Sequence, residues 1–136
     1  MIKPESNVMA TMAENKILII DDDPRNIFAL TAVLKAKGFP CVSAASAEVG
    51  LEMLVQDKNI VVVLMDMMMP GMDGYQAISK MKENPALKHI PVIAVTAQAM
   101  LGDRERCLEA GAIGYVSKPI NIDELIKLLN LYVLTE

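Results

Sequence analysis

Tryptophan is absent, and the two phenylalanines and three tyrosines are the only other aromatic residues besides one histidine. With just over half of the residues hydrophobic, the core has to be built from aliphatic side chains and methionine. No apolar stretch reaches the ~18 residues that would suggest a membrane-spanning helix. Residues 1–15 contain Lys3 and Glu5 but no apolar segment of the kind a secretory signal needs, so they are expected to form a flexible tail ahead of one domain, residues 16–136. Cys41 and Cys107 have neither metal-ligand nor redox spacing; they read as reduced, partly buried thiols of a cytoplasmic protein. Positive charge is not in excess: the formal net charge is -4, which argues against nucleic-acid binding. His89 precedes a strand on the side away from the main acidic cluster and is expected to be solvent-exposed.

What is present is regular. Ile17 to Ile20 is a short apolar run ending at Asp21-Asp22-Asp23, as expected for a strand buried on both faces of a parallel sheet. Asp23 and Pro24 open a helix as cap and first-turn residue. Ile27, Leu30, Val33 and Leu34 give its apolar stripe, and Gly38 ends it. A second strand is expected over Pro40 to Ala44. The helix after it is capped by Ser46 and carries Val49, Met53 and Leu54. Ile60 to Met65 is the strongest strand and runs into Asp66. Further helices are expected over about Tyr75 to Lys82, within Gln98 to Ala110 and after a capping box of Asn121 and Glu124, with strands at Ile90 to Val95 and Ile113 to Val116. Strands alternating with helices require crossovers, which gives an α/β fold with a doubly wound parallel sheet.

In such sheets ligands bind beyond the carboxyl ends of the strands. Those ends carry Asp21, Asp22 and Asp23 after the first strand, Asp66 after the third, Thr96 after the fourth, and Ser117, Lys118 and Pro119 after the fifth. Carboxylates gathered in one cleft repel. A divalent cation relieves that repulsion, and an all-oxygen donor set suits Mg²⁺. Lys118 adds a fixed positive charge and Thr96 a hydroxyl donor. Metal, ammonium, hydroxyl and one carboxylate placed to attack are the parts of a phosphoryl-transfer site.

The segments Ile-Leu-Ile-Ile-Asp-Asp-Asp-Pro, Leu-Met-Asp-Met-Met-Met-Pro-Gly-Met-Asp-Gly, Ile-Ala-Val-Thr-Ala and Ser-Lys-Pro resemble the four signatures of response-regulator receiver domains of bacterial two-component systems. They occur in family order and spacing between Lys16 and Val133. The resemblance implies a flavodoxin-like sheet of order 2-1-3-4-5 with five helices. It implies that Asp66 accepts a phosphoryl group from a histidine kinase or histidine phosphotransfer protein. It also implies that Asp22 ligates Mg²⁺ directly, Asp21 through water, and that Asp66 and the Met68 backbone carbonyl complete the set. Thr96 and Lys118 would contact the phosphoryl group, Lys118 being followed by a cis bond to Pro119. Tyr115 would be the aromatic whose rotamer follows Thr96, changing the surface of the fourth helix, fifth strand and fifth helix. The chain would catalyse only its own phosphorylation and slow dephosphorylation.

Other readings fit less well. A haloacid-dehalogenase-like phosphatase needs a second Asp two residues after its nucleophile, where this chain has Met68. A dinucleotide fold would want glycines where Asp21 to Pro24 stand. A pseudo-receiver that binds protein without taking phosphate is the alternative, although such domains lose residues that this chain keeps. The methionines at 65, 67, 68, 69 and 72 lie beside hard carboxylates and are assigned to packing and loop plasticity rather than a soft metal. In the last helix Ile122, Leu125, Ile126, Leu129, Tyr132 and Val133 share one face. Leu131 and Leu134 fall off that face, with Leu128 at its margin. They mark a possible contact for a second copy or an effector.

Overall fold

The computed structural model describes residues 15–97 and 101–133; residues 1–14 of the expected tail and Leu134 lie outside them. Five strands, β1 (Lys16–Ile20), β2 (Cys41–Ala44), β3 (Ile60–Asp66), β4 (Val92–Thr96) and β5 (Gly114–Ser117), alternate with five helices. The helices are α1 (Pro24–Ala36), α2 (Ala47–Gln56), α3 (Gly74–Glu83), α4 (Asp103–Ala110) and α5 (Ile122–Asn130). All strand pairs are parallel, and the sheet order is 2-1-3-4-5, as the resemblance implied.

Burial follows from this layering. Leu18, Ile20, Val63, Met65 and Ala94 pack on one face of the sheet with Leu54, Ala77, Ile78, Met81 and Cys107 from α2, α3 and α4. Ile17, Ile19, Val62, Leu64, Ile93 and Val95 pack on the other with Leu30, Leu34, Leu125 and Leu129 from α1 and α5. A parallel sheet covered on both sides needs continuous apolar strands, and β4 is buried at every position.

The helix ends obey their local chemistry. Asp23 accepts from the Arg25 N–H, Ser46 from Val49 and Asn121 from Glu124. Gly38, with φ +93°, turns the chain after α1. One expectation needs correction. Val49 is exposed; α2 instead turns Ala47, Gly50 and Leu54 inward. Gly50 lies so close to Ile20 that an added Cβ would overlap its side chain, so this small residue sets which face meets the sheet. α4, over Asp103–Ala110, lies within the stretch expected to hold it.

Candidate functional site

Adjacent strands deliver the acidic residues to one place. Ile20 is in register with Met65, so the next residues, Asp21 and Asp66, emerge side by side. One oxygen each from Asp21, Asp22 and Asp66 lies within 4.8 Å of the other two. Asp21 and Asp66 are buried and Asp22 is exposed. Asp21 accepts from the Asp23 N–H at 2.9 Å and from Asn26 Nδ2 at 3.4 Å. Asp66 Oδ1 accepts from the Met68 N–H at 3.0 Å, which fixes the carboxylate against its own loop.

Lys118 reaches the same cleft from the end of β5. Its Nζ donates to Asp21 Oδ2 at 3.3 Å and is 3.6 Å from Asp66 Oδ2. The Lys118–Pro119 peptide bond is cis. Thr96 is buried at the end of β4, in register with Ser117, and its carbonyl accepts from the Lys118 N–H at 2.8 Å. Burial first, with the neighbouring Asp21 charge, holds the Asp66 carboxyl above its ordinary range; the Met68 N–H and Lys118 oppose this only in part. Among the described residues, the three carboxyl groups outnumber the Lys118 ammonium that reaches two of them. Their oxygens form a hard donor set of the kind that fits Mg²⁺.

The turn after Asp66 is held by close packing. Asp73 and Gln76 form a reciprocal capping box at the start of α3. A Cβ on Gly74 would meet the Met67 sulfur, the Met67 Cα at 2.8 Å and the Asp66 carbonyl oxygen at 3.1 Å. Because two of these are backbone atoms, the loop itself must shift to admit a methyl group. Gly74→Ala is therefore expected to cost about 1–3 kcal/mol and to slow any chemistry at Asp66, as read by urea unfolding beside reaction rate. Wild-type stability in this variant would show that the loop is not held this way.

A family model for the response regulator receiver domain matches residues 17–130. The chain belongs to that family. Among curated relatives, the response regulator PleD of Caulobacter vibrioides is 39% identical over 106 residues, covering 78% of this chain but only 23% of PleD. The chain thus spans about a quarter of that relative's length. The polar-differentiation response regulator DivK of Brucella ovis is 33% identical over 116 residues, covering 85% of this chain and 94% of DivK. Among solved structures, the receiver domain of a sensor histidine kinase from Pseudomonas aeruginosa, with a magnesium ion coordinated in its active-site cleft, superposes with a TM-score of 0.78. It is 31% identical, covering 88% of this chain and 97% of that one. Receiver domains are signalling switches that bind Mg²⁺ at an acidic pocket and work with histidine kinases or phosphotransfer proteins.

In this receiver the remaining sequence candidates fall as follows. Tyr115 is half-buried and its hydroxyl donates to Asp103 Oδ2 at 3.1 Å. Asp103, a buried acidic residue at the first turn of α4, was not among the expected site residues. Acidic residues in a first helical turn ordinarily serve the helix dipole, so no local signal marks its burial. His89 is exposed, as expected. Met67 and Met69 are buried, whereas Met68 is 52% exposed beside the acidic cleft. Leu131 is 72% exposed, while Leu128 packs partly into the core. No helix among the described residues is long and apolar enough to cross a membrane.

Proposed function

We propose that Asp66 accepts a phosphoryl group from the phosphohistidine of a partner kinase or phosphotransfer protein, and that the resulting acyl phosphate resets the α4-β5-α5 surface. The observation that carries this reading is the convergence of Asp21, Asp22 and Asp66 within 4.8 Å, with Lys118 paired to two of them. An Asp66 oxygen attacks phosphorus while the bond to the imidazole nitrogen breaks, and that nitrogen leaves with the electron pair. Lys118 and the Thr96 hydroxyl would receive phosphoryl oxygens. Asp22, Asp66 and the Met68 carbonyl would hold Mg²⁺ directly, and Asp21 through water. When bound, the ion neutralises charge on the phosphoryl oxygens. Hydrolysis by water returns Asp66 and releases phosphate.

A cleft of about 250 Å³ lined by Asp21, Leu30, Val33, Lys118, Pro119 and Ile122 adjoins the acidic residues. It offers a partner an apolar shelf between α1 and α5. Exposed Leu131 supports a second contact, with another copy or an effector, just beyond the end of α5.

Mg²⁺ is expected to raise the melting temperature, since a ligand of the native state stabilises it by about 2.7 kcal/mol at a hundredfold excess over its Kd. Asp22→Ala should remove most of that shift. Equal shifts in both proteins would place the metal elsewhere. The reading as a whole is tested by incubation with Mg²⁺ and phosphoramidate followed by intact mass. Gain of one phosphoryl group, suppressed by chelator, is expected; no gain would favour a protein-binding module that does not take phosphate.

A further inference from the structure

We infer that Asp103 is a positioning residue of the switch: its carboxylate tethers the Tyr115 hydroxyl, and phosphorylation has to release that tether. The inference rests on the phosphoswitch reading above and adds to it a named restraint on Tyr115.

The geometry joins three elements at one side chain. Tyr115 of β5 donates to Asp103 Oδ2 at 3.1 Å, and Tyr75 of α3 donates to Oδ1 at 3.5 Å. Asp103 is only 8% exposed, so these two phenols stand where water would otherwise solvate it. Tyr75 is itself held in place: its hydroxyl lies 3.6 Å from the Cys107 sulfur and its ring beneath the Arg106 guanidinium, 4.9 Å from the centroid. Burial raises the pKa of both tyrosines, which keeps them protonated as donors.

Both donors lie at the ends of short routes from the acidic cleft. Tyr75 follows Gly74, which is packed on Met67 beside Asp66. Tyr115 is in register with Ala94, two residues before Thr96 on β4. Rotation of Tyr115 about its Cα–Cβ bond breaks its bond to Asp103. We assign the tethered arrangement to the unphosphorylated state; a ligand that prefers the rotated one then works against it. A hydrogen bond to a charged acceptor in a buried setting is enough to move such an equilibrium by about tenfold.

The test uses beryllofluoride, a phosphoryl mimic, with Mg²⁺ and the full chain. Asp103→Ala is expected to tighten beryllofluoride binding by about tenfold. It should also move the aromatic ¹³C resonances of Tyr115 in the unliganded protein towards their beryllofluoride-bound positions. Tyr115→Phe, which leaves the Tyr75 bond to Asp103 in place, should also tighten binding. The double variant should gain nothing beyond Asp103→Ala, because that change already removes the bond that Tyr115→Phe removes. Asp103→Asn, which retains one acceptor oxygen, should fall between and serves if the alanine variant does not fold. Unchanged Tyr115 resonances with unchanged affinity, or effects that add in the double variant, would overturn the tether. Failure of the phosphoswitch reading looks different: the wild type would neither bind beryllofluoride nor gain a phosphoryl group, while the Tyr115 resonances of unliganded Asp103→Ala would still report on the tether.

Discussion

Asp66→Asn is expected to abolish phosphoryl uptake completely while raising the melting temperature at neutral pH, measured in chelator, by a few degrees. The amide has no nucleophilic carboxylate, yet its oxygen can still accept the Met68 N–H that Asp66 Oδ1 accepts now. The stabilisation follows from the raised pKa of Asp66, caused first by burial and reinforced by Asp21. The folded chain holds this proton more tightly than the unfolded chain, whose carboxyl titrates at the ordinary value of 3.8. Below that value both states are protonated and the group costs nothing. As pH rises through the window between the two pKa values, the folded state loses stability, and the full penalty persists above the folded value. The advantage of Asn should therefore be present at pH 7 and shrink as pH falls towards 4. Thermal melts across that range, paired with intact mass, check both halves. An advantage that grew on acidification would reverse the assigned electrostatics.

Lys118→Ala is expected to have the opposite effect on stability and a large but incomplete one on chemistry. Without the ammonium, Asp21 and Asp66, respectively 3% and 5% exposed, face each other uncompensated. Breaking a buried pair can cost 3–5 kcal/mol, but the Lys118 side chain is 23% exposed, so solvent screening reduces this to about 1–3 kcal/mol. Mg²⁺ should restore part of the loss by supplying charge to the same carboxylates. Phosphoryl uptake should slow by about a hundredfold, the scale for removing one preorganised donor from a charge-developing centre. Lys118→Arg should not restore the rate, because a planar guanidinium does not place its charge where an ammonium does. Denaturant melts with and without Mg²⁺, and initial rates by mass, read these effects. Wild-type stability in chelator would mean that Lys118 does not compensate the pair.

The parts of this receiver most legible in the sequence are those in which local pattern and tertiary role coincide. Strands of a covered parallel sheet are apolar on both faces, so β1, β3 and β5 can be traced in the sequence, and the charged residues at their ends can only lie at the rim. That is why Asp21, Asp66 and Lys118 could be named before their distances were known. The 2-1-3-4-5 order came from the family resemblance, because alternation of strands and helices does not itself fix strand order.

What was not legible depends on neighbours remote in sequence. Asp103 reads locally as a solvated first-turn acid; it is buried, and the partners it holds, Tyr75 and Tyr115, are 28 and 12 residues away. Val49 fits a helical apolar stripe, but contact between Gly50 and Ile20 turns α2 so that Val49 faces outward. α3 starts at Gly74, one residue before the expected Tyr75, because Asp73 and Gln76 form a reciprocal capping box there.

The most direct measurement of the central claim is chemical mapping of the phosphorylated residue. After incubation with Mg²⁺ and phosphoramidate, borohydride reduction converts an aspartyl phosphate to homoserine, which peptide mass spectrometry locates. A single homoserine at position 66, absent from Asp66→Asn and from samples made in chelator, is the expected result. Homoserine at position 21, 22 or 73, or none in a protein that has gained a phosphoryl group, would contradict the assignment of Asp66 as the acceptor.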